Sequence, residues 1–284
     1  MTPPNIIIVA SRRHAPLSPT AAVLITGVSS GIGRATAERL ASHGFRVFGA
    51  SRRPPSSVPS GVRDKWIAMD VRDEAQARAG VAGVVAQAGG LDAVVCAAGY
   101  AVFGSVEDLP IEKARAQMET NVIGTLTVLR AALPHLRRAQ GRAVVVGSLA
   151  GRAPIPFQAH YSATKAALDA ITLALRIEVA PFGVGVSLVE PGDIATPFNE
   201  NMDWGDGGDS AYAERRASCE RVVRESLPKA PSPTIVAEVI LRALTARRPR
   251  VRYAVGPDSR LVPLGRRLLP DWLSLALIRD HFKV

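Results

Sequence analysis

AAVLITGVSSGIGRATAERLASHG, residues 21–44, decides the fold. Its first six residues are apolar or β-branched, a run of strand length that leads directly into a glycine-rich turn. The turn opens into a stretch with helical spacing, Ile32–Ser42, and Gly44 follows where a left-handed C-terminal cap is expected. Gly27, Gly31 and Gly33 let the turn be tight, let backbone approach a pyrophosphate and let the helix pack closely on the strand. The helix start offers N–H groups and the positive end of its dipole to phosphate. No Gly-Lys-Ser or Gly-Lys-Thr follows, so a triphosphate loop is not the reading; a dinucleotide site is, with a plain strand–helix turn as the alternative.

Outward from this unit the same alternation continues. Strand-like runs stand at Arg46–Ala50, Lys65–Met69, Ala93–Ala97, Ala143–Gly147, Gly185–Val189 and Val251–Val255. Helical patterns lie between them over Asp73–Ala88, Ile111–Arg138, Ala159–Ala180 (ended by Pro181) and Thr234–Arg247. Alternating strands and helices build a parallel sheet from βαβ units, here a doubly wound, mainly parallel α/β sheet of seven strands with helices on both faces. No break in the alternation marks a second domain. The expected organisation is a flexible arm over 1–20, one domain over 21–256, and a basic amphipathic extension over 257–284. Within the domain, 195–230 has a weaker pattern and reads as a substrate-side loop with a short helix, either a lid or a solvated insertion.

The chain has 284 residues, 47% hydrophobic and 21% charged, enough to bury a full core. Its two cysteines, Cys96 and Cys219, form no disulfide framework, which fits a reducing, cytoplasmic compartment. The N-terminal apolar run is too short, and flanked on the wrong side by Arg12 and Arg13, for a secretory signal or a spanning helix. A net charge of +10 raises nucleic acid as a partner. From Ser210 onward, however, there are 15 Lys and Arg against 7 Asp and Glu, so the excess belongs to the last quarter and the motif-bearing part is nearly balanced. With no helix-turn-helix, zinc-finger or RNP pattern, no nucleic-acid partner is expected.

Two constellations carry chemistry. At the end of the second strand, where a carboxylate would hold the ribose hydroxyls of NAD, the chain reads Ser51-Arg52-Arg53. A guanidinium there can bind the extra phosphate of NADP, and a carboxylate would repel it, so NADP(H) is expected over NAD(H). A solvated surface pair is the alternative. The second constellation is Tyr161-Ser-Ala-Thr-Lys165, whose phenol and ammonium emerge one helical turn apart. A free phenol has a pKa of about 10, and a neighbouring cation favours the phenolate, bringing the group toward the working pH as a proton donor or acceptor. Ser148 lies at a strand end upstream, placed to hydrogen-bond a substrate oxygen. The histidines are scattered without ligand spacing and no metal is expected; His160 reads as a packing or surface residue.

Taken together, these motifs resemble the short-chain dehydrogenase/reductase family, whose Rossmann-type fold the resemblance implies. TGVSSGIG resembles the family's cofactor motif, and would place Gly27, Ser29, Ser30, Gly31, Ile32 and Gly33 along the dinucleotide. NVIG at Asn121–Gly124, Ser148 with YSATK, and PGDIAT at Pro191–Thr196 follow in family order. The resemblance implies Tyr161 as general acid/base, Ser148 orienting the carbonyl, Lys165 holding the nicotinamide ribose and Asn121 keeping a relay water. It further implies Asp70 and Val71 at the adenine, Ala97 and Gly99 close to the cofactor, and Pro191, Ile194 and Thr196 beside the nicotinamide. One motif departs: Cys96-Ala97-Ala98-Gly99 stands where the family usually has an asparagine first, so that side chain's hydrogen bonds are lost and local rigidity is in question. Cys96 itself reads as a buried, inert thiol, with a redox switch as the alternative.

Expected partners are a lipophilic ketone, aldehyde or alcohol, taken by a site lined with Tyr100, Leu149, Pro154, Ile155, Phe157 and Phe198, and a second copy of the chain in a homodimer or homotetramer, as the family implies. A serine hydrolase is disfavoured because Gly147-Ser148-Leu149-Ala150-Gly151 is not Gly-x-Ser-x-Gly. A non-catalytic dinucleotide sensor on the same fold is the other reading. In the last segment, Leu261 to Phe282, Asp271 is expected to cap a helix in which Trp272, Leu275 and Ile278 share one face. That helix would cover an apolar entrance, rest peripherally on an anionic membrane, or pack on its own domain or a second subunit.

Overall fold

A strand whose two faces are both covered must be apolar at every position, and the seven strand-like runs have that character. In the computed structural model, which describes residues 15–52, 62, 65–198, 202–205, 210–256, 259 and 261–284, they form one sheet. The strands are β1 (Ala22–Thr26), β2 (Arg46–Ser51), β3 (Trp66–Ala68), β4 (Ala93–Cys96), β5 (Arg142–Val146), β6 (Gly185–Pro191) and β7 (Arg252–Val255). Their order is β3-β2-β1-β4-β5-β6-β7, and every pairing is parallel.

The helices are α1 (Gly31–Ser42), α2 (Glu74–Ala88), α3 (Ile111–Met118), α4 (Gly124–Ala139), α5 (Ala159–Val179), α6 (Ala213–Ser226), α7 (Thr234–Thr245), α8 (Leu261–Leu268) and α9 (Asp271–Phe282). Side chains of successive strand residues point to opposite faces, so each strand feeds two cores. Leu24, Val94 and Val145 pack with Val81 and Val84 of α2, Leu129 of α4 and Leu168 of α5. Val23, Ile25, Val95 and Val144 pack with Leu40 of α1 and Ile240 and Leu244 of α7. Each such side chain, fully buried, contributes about 1.5–3 kcal/mol.

The sheet is thus wound in both directions from β1, and its strand order reverses between β1 and β4. A crevice at the carboxyl ends of the strands follows from that reversal. Gly44 has a φ of +88° after α1, as its position suggested. Asp73 caps α2, its carboxylate accepting from the N–H groups of Ala75 and Gln76.

Three expectations need correction. The single helix over Ile111–Arg138 is broken by one π turn, Glu119–Ile123, where the N–H of Gly124 reaches the carbonyl of Glu119. The sequence pattern survives such an insertion, so periodicity alone does not show it. In the 195–230 segment the helix is not short: α6 has 14 residues. At the C-terminus Pro270, not Asp271, is the N-cap of α9, and Asp271 is its first helical residue, where its charge favours the helix dipole. Residues 1–14 of the expected arm, Arg53, and residues 199–201 and 206–209 of the substrate-side segment lie outside the described residues. Among the described residues no helix is long and apolar enough to cross a membrane.

Candidate functional site

The crevice is a cavity of about 1310 Å3. Gly27, Ser29, Ser30, Gly31, Ile32, Gly33, Arg52, Asp70, Val71, Ala97, Gly99, Ser148, Tyr161, Lys165, Pro191, Ile194 and Thr196 all stand on its wall. Of the described residues expected to act in catalysis or hold the cofactor, only Asn121 is set behind it. Seven elements distant along the chain therefore converge because each strand ends on the same side of the sheet.

The glycine turn is a cradle whose shape side chains would destroy. A Cβ on Gly33 would sit 2.3 Å from the carbonyl oxygen of Gly27, so α1 starts closer to β1 than any other residue allows. Gly27, with a φ of +76°, would carry its Cβ 2.9 Å from the Cα of Ala98. No acidic residue stands in the first turn of α1, and the Ser30 side chain makes no capping hydrogen bond there. The turn can therefore accept an anion at its backbone.

The rigidity put in question by Cys96 is supplied by other groups. The hydroxyl of Thr26 accepts from the N–H groups of Ala97 and Ala98 at 3.2 and 3.3 Å, tying the end of β1 to the end of β4. Asn121 then fixes the next residues: its amide donates to the carbonyl of Tyr100 at 2.9 Å and its side-chain oxygen accepts from the N–H of Tyr100 at 3.0 Å. The same amide donates to the hydroxyl of Thr164 on α5 at 3.1 Å. Asn121 lies within the π turn, and its main-chain carbonyl accepts from the Thr125 hydroxyl at 2.8 Å. Cys96 is buried and burial pushes its thiol up to about 12, which keeps it a thiol.

Ser148 follows β5 and caps a short 3-10 turn, Leu149–Gly151, accepting from the N–H of Ala150 at 3.1 Å. Tyr161 and Lys165 come from the first two turns of α5, and the ammonium lies 5.7 Å from the centre of the Tyr161 ring. Lys165 is buried, and its ammonium donates to the carbonyl of Val146 at 2.9 Å. Burial pushes the Tyr161 phenol up to about 12; its hydrogen bond with Ser148 works the other way, and Asp193 adds to the rise. Burial also draws Lys165 down to about 8. The expectation that Lys165 brings the phenol below its ordinary value is therefore not met in this state. The ammonium is occupied by Val146, and desolvation of both groups dominates.

At the other end of the cavity, the exposed Arg52 follows the buried Ser51, whose hydroxyl accepts from the Trp66 indole N–H at 2.9 Å. Asp70 is paired with Arg72 at 2.6 Å, and that hydrogen bond holds its carboxyl below the ordinary range, with Arg52 adding to the effect. Arg72 also stands on the cavity wall, one position past the Asp70–Val71 pair read from the sequence.

The remaining wall is apolar, and much of it was not anticipated. Tyr100, Leu149, Pro154, Ile155 and Phe198 line it as expected. Phe157 does not; it has a φ of +61° and packs with Phe103, ring centres 5.9 Å apart, in a cluster that supports the wall. Val222, Val223 and Ser226 of α6 also line it, at the helical spacing that marks one face, a pattern already present in the sequence. So do Val262 of α8, Leu269, and Ser274, Ile278, His281 and Phe282 of α9. Ile278 therefore turns inward, whereas Trp272 and Leu275, 72% and 50% exposed, point out, so the three do not share a face as expected. His160 has a buried Nε2 with no hydrogen-bond partner among the described residues, which fits a packing role.

A dinucleotide-type cradle and a Ser–Tyr–Lys group thus open onto one cavity at the switch point of a parallel sheet. Residues 21–205 match the family model described as short chain dehydrogenase, and the chain belongs to that family. It is similar to 3-ketodihydrosphingosine reductase of Bacteroides thetaiotaomicron, 31% identical over 92% of this chain and 98% of that protein. Estradiol 17-beta-dehydrogenase 1 of Rattus norvegicus is 36% identical over 88% of this chain and 77% of its own length. Among solved structures, a short-chain dehydrogenase from Streptomyces avermitilis superposes with a TM-score of 0.78 at 30% identity, covering 94% of this chain and 97% of that one.

Proposed function

We propose that this chain is an NADP(H)-dependent oxidoreductase that interconverts a carbonyl and an alcohol on a lipophilic substrate. The observation that carries this reading is the convergence of Ser148, Tyr161 and Lys165 with the glycine cradle on one largely apolar cavity. The residues fit a dinucleotide: the space against Gly27 and Gly33 admits no side chain, and the adjoining helix start carries no acid. Arg52 supports the phosphorylated form, since a guanidinium at the end of β2 suits a phosphate on the adenosine ribose. When bound, the nicotinamide supplies or takes the hydride.

In the reductive direction Tyr161 donates its proton to the substrate oxygen; in the oxidative direction its phenolate takes one. The high value of the phenol keeps the donor form populated at neutral pH. Ser148 spends an acceptor lone pair on Ala150, and its O–H, which meets the Tyr161 phenol in this structure, turns to donate to the same substrate oxygen. Lys165 donates to Val146 and has further N–H groups for ribose hydroxyls and for a proton relay. Asn121 holds Tyr100 in place, and in this reading its carbonyl, which also accepts from the Thr125 hydroxyl, keeps a relay water. Asp70, Val71 and Arg72 form the adenine end; Pro191, Ile194 and Thr196 form the nicotinamide end.

The substrate half is apolar and walled by α6, α8 and α9, which supports a lipophilic ketone or secondary alcohol. The names of the two relatives, a keto-sphingoid reductase and a steroid dehydrogenase, point the same way. Residues 21–256 form the catalytic domain in this reading, and 257–284 an extension closing over its site. The same reading places the chain in the cytoplasm as a homodimer or homotetramer, with peripheral membrane contact through the extension. The experiment is a panel of ketones and alcohols with purified protein and both cofactors, following absorbance of the reduced nicotinamide. Turnover of long-chain or polycyclic substrates with NADPH is expected. Tight NADPH binding without turnover of any substrate would instead favour the sensor reading.

A further inference from the structure

The basic surplus of the last quarter is not used by the site described above. Part of it is gathered in a second cavity of about 820 Å3, beside β6 and β7. Five arginines line it: Arg152, Arg242, Arg248, Arg250 and Arg252. Among the described residues the only carboxylate on the wall is Glu190, which is buried and held by Arg152 at 2.5 Å. Arg252 is paired with Asp169 from outside the wall. Arg242, Arg248 and Arg250 are exposed, and their side chains have no acid partner or hydrogen bond among the described residues. Three guanidiniums with no acid partner among the described residues, gathered on one concavity, repel each other, a cost that a bound anion would offset.

The loop that presents them is built rather than loose. Buried Arg142 donates to the carbonyl of Ala246 at 3.2 Å, and Arg176 donates to the carbonyl of Pro249 at 2.9 Å. The N–H of Arg250 donates to the Tyr253 hydroxyl at 3.0 Å, and its carbonyl accepts from the Ser187 hydroxyl at 2.7 Å. Four side chains are thus committed to fixing the backbone between α7 and β7, so that the arginines start from fixed positions and only their side chains remain to be ordered by a ligand. Several guanidiniums on one wall match the oxygens of a phosphate monoester or diphosphate, which they can bind through paired N–H groups.

We propose that this arginine pocket is a binding site for a phosphate group, distinct from the dinucleotide cradle and independent of the cofactor reading above. Its source is either a free phosphorylated molecule or the headgroup of an anionic lipid. Pro263 of α8 also lines the pocket, which sets it beside the helices whose exposed leucines suit a lipid surface.

The test titrates inorganic pyrophosphate into the whole chain at constant ionic strength, with and without saturating NADP+. In parallel, sedimentation is measured with phosphatidylcholine vesicles containing phosphatidic acid or lacking it. Wild type is compared with R248Q/R250Q, and with R115Q/R130Q, which removes the same charge from exposed positions on α3 and α4. The expected result is saturable binding that persists with NADP+ and weakens about tenfold or more in R248Q/R250Q only, the order set by charge-assisted hydrogen bonds to phosphate. Pyrophosphate binding without vesicle binding assigns a free ligand; vesicle binding alone assigns the lipid. No binding of either, or equal weakening in both double variants, overturns the site. Thermal melting of each variant separates loss of binding from loss of fold.

Discussion

The buried ammonium of Lys165 donates to the main-chain carbonyl of Val146 at 2.9 Å, tying the second turn of α5 to the end of β5 two residues before Ser148. This contact positions the helix that carries Tyr161 at the expense of a charge held out of water. Burial draws that charge down from 10.5 to about 8. Between those values the unfolded chain binds more protons than the folded one, so stability rises with pH. Relative to Lys165→Met, which cannot titrate, the wild type is expected to gain on the order of 3 kcal/mol from pH 8 to 10.5. Denaturant melts of both proteins across that window check it; parallel curves would show that the ammonium is not desolvated.

Tyr161→Phe keeps the ring that packs near Phe198, ring centres 5.7 Å apart, and removes only the hydroxyl. Turnover is expected to fall roughly a hundredfold to ten-thousandfold, the usual contribution of a positioned proton donor, with cofactor affinity little changed. Single-turnover kinetics beside a fluorescence titration of NADPH separates the two quantities. Near-normal turnover in the purified variant would remove Tyr161 from the mechanism.

Arg52→Ala tests cofactor choice. The side chain stands at the end of β2 on the cavity wall, and only NADPH offers it a ribose phosphate. Loss of a charge-assisted hydrogen bond of this kind weakens NADPH binding by about 1.5–3 kcal/mol and leaves NADH unaffected. Equal weakening of both cofactors would make Arg52 a structural residue.

The sheet and the cofactor half of the site were legible because each depends on local sequence. Strand runs such as Ala93–Cys96 are apolar throughout because both faces are covered, and Gly27 and Gly33 mark a turn that only glycine fits. The π turn around Asn121 was not legible, since one wider turn leaves the apolar pattern almost in phase. Nor was the role of Thr26, whose hydroxyl replaces hydrogen bonds missing at Cys96 by reaching residues 71 and 72 positions away. The substrate half depends on how α6, α8 and α9 fold over the crevice. Ser274 and Ile278 face inward while the larger Trp272 faces out, an arrangement that reverses what hydrophobicity alone suggests.

That reversal separates two roles of the C-terminal helices. Leu264, Leu268, Trp272 and Leu275, none of them on the cavity wall, are each at least half exposed, with Arg267 and Arg279 exposed on the same helices. Ile278 and Phe282 line the cavity from the inner side. If the outer face rests on anionic lipid, Trp272→Glu/Leu275→Glu lowers sedimentation with anionic vesicles and leaves turnover of a short, water-soluble ketone unchanged. If the inner face covers the substrate, Ile278→Ala/Phe282→Ala raises KM for a long-chain ketone while vesicle binding stays as in the wild type. Equal sedimentation of the outer-face variant and the wild type would instead assign those leucines to contact with a second copy of the chain, which a concentration-dependent oligomer in sedimentation velocity then has to show. Unaltered KM in the inner-face variant would leave α9 as packing alone.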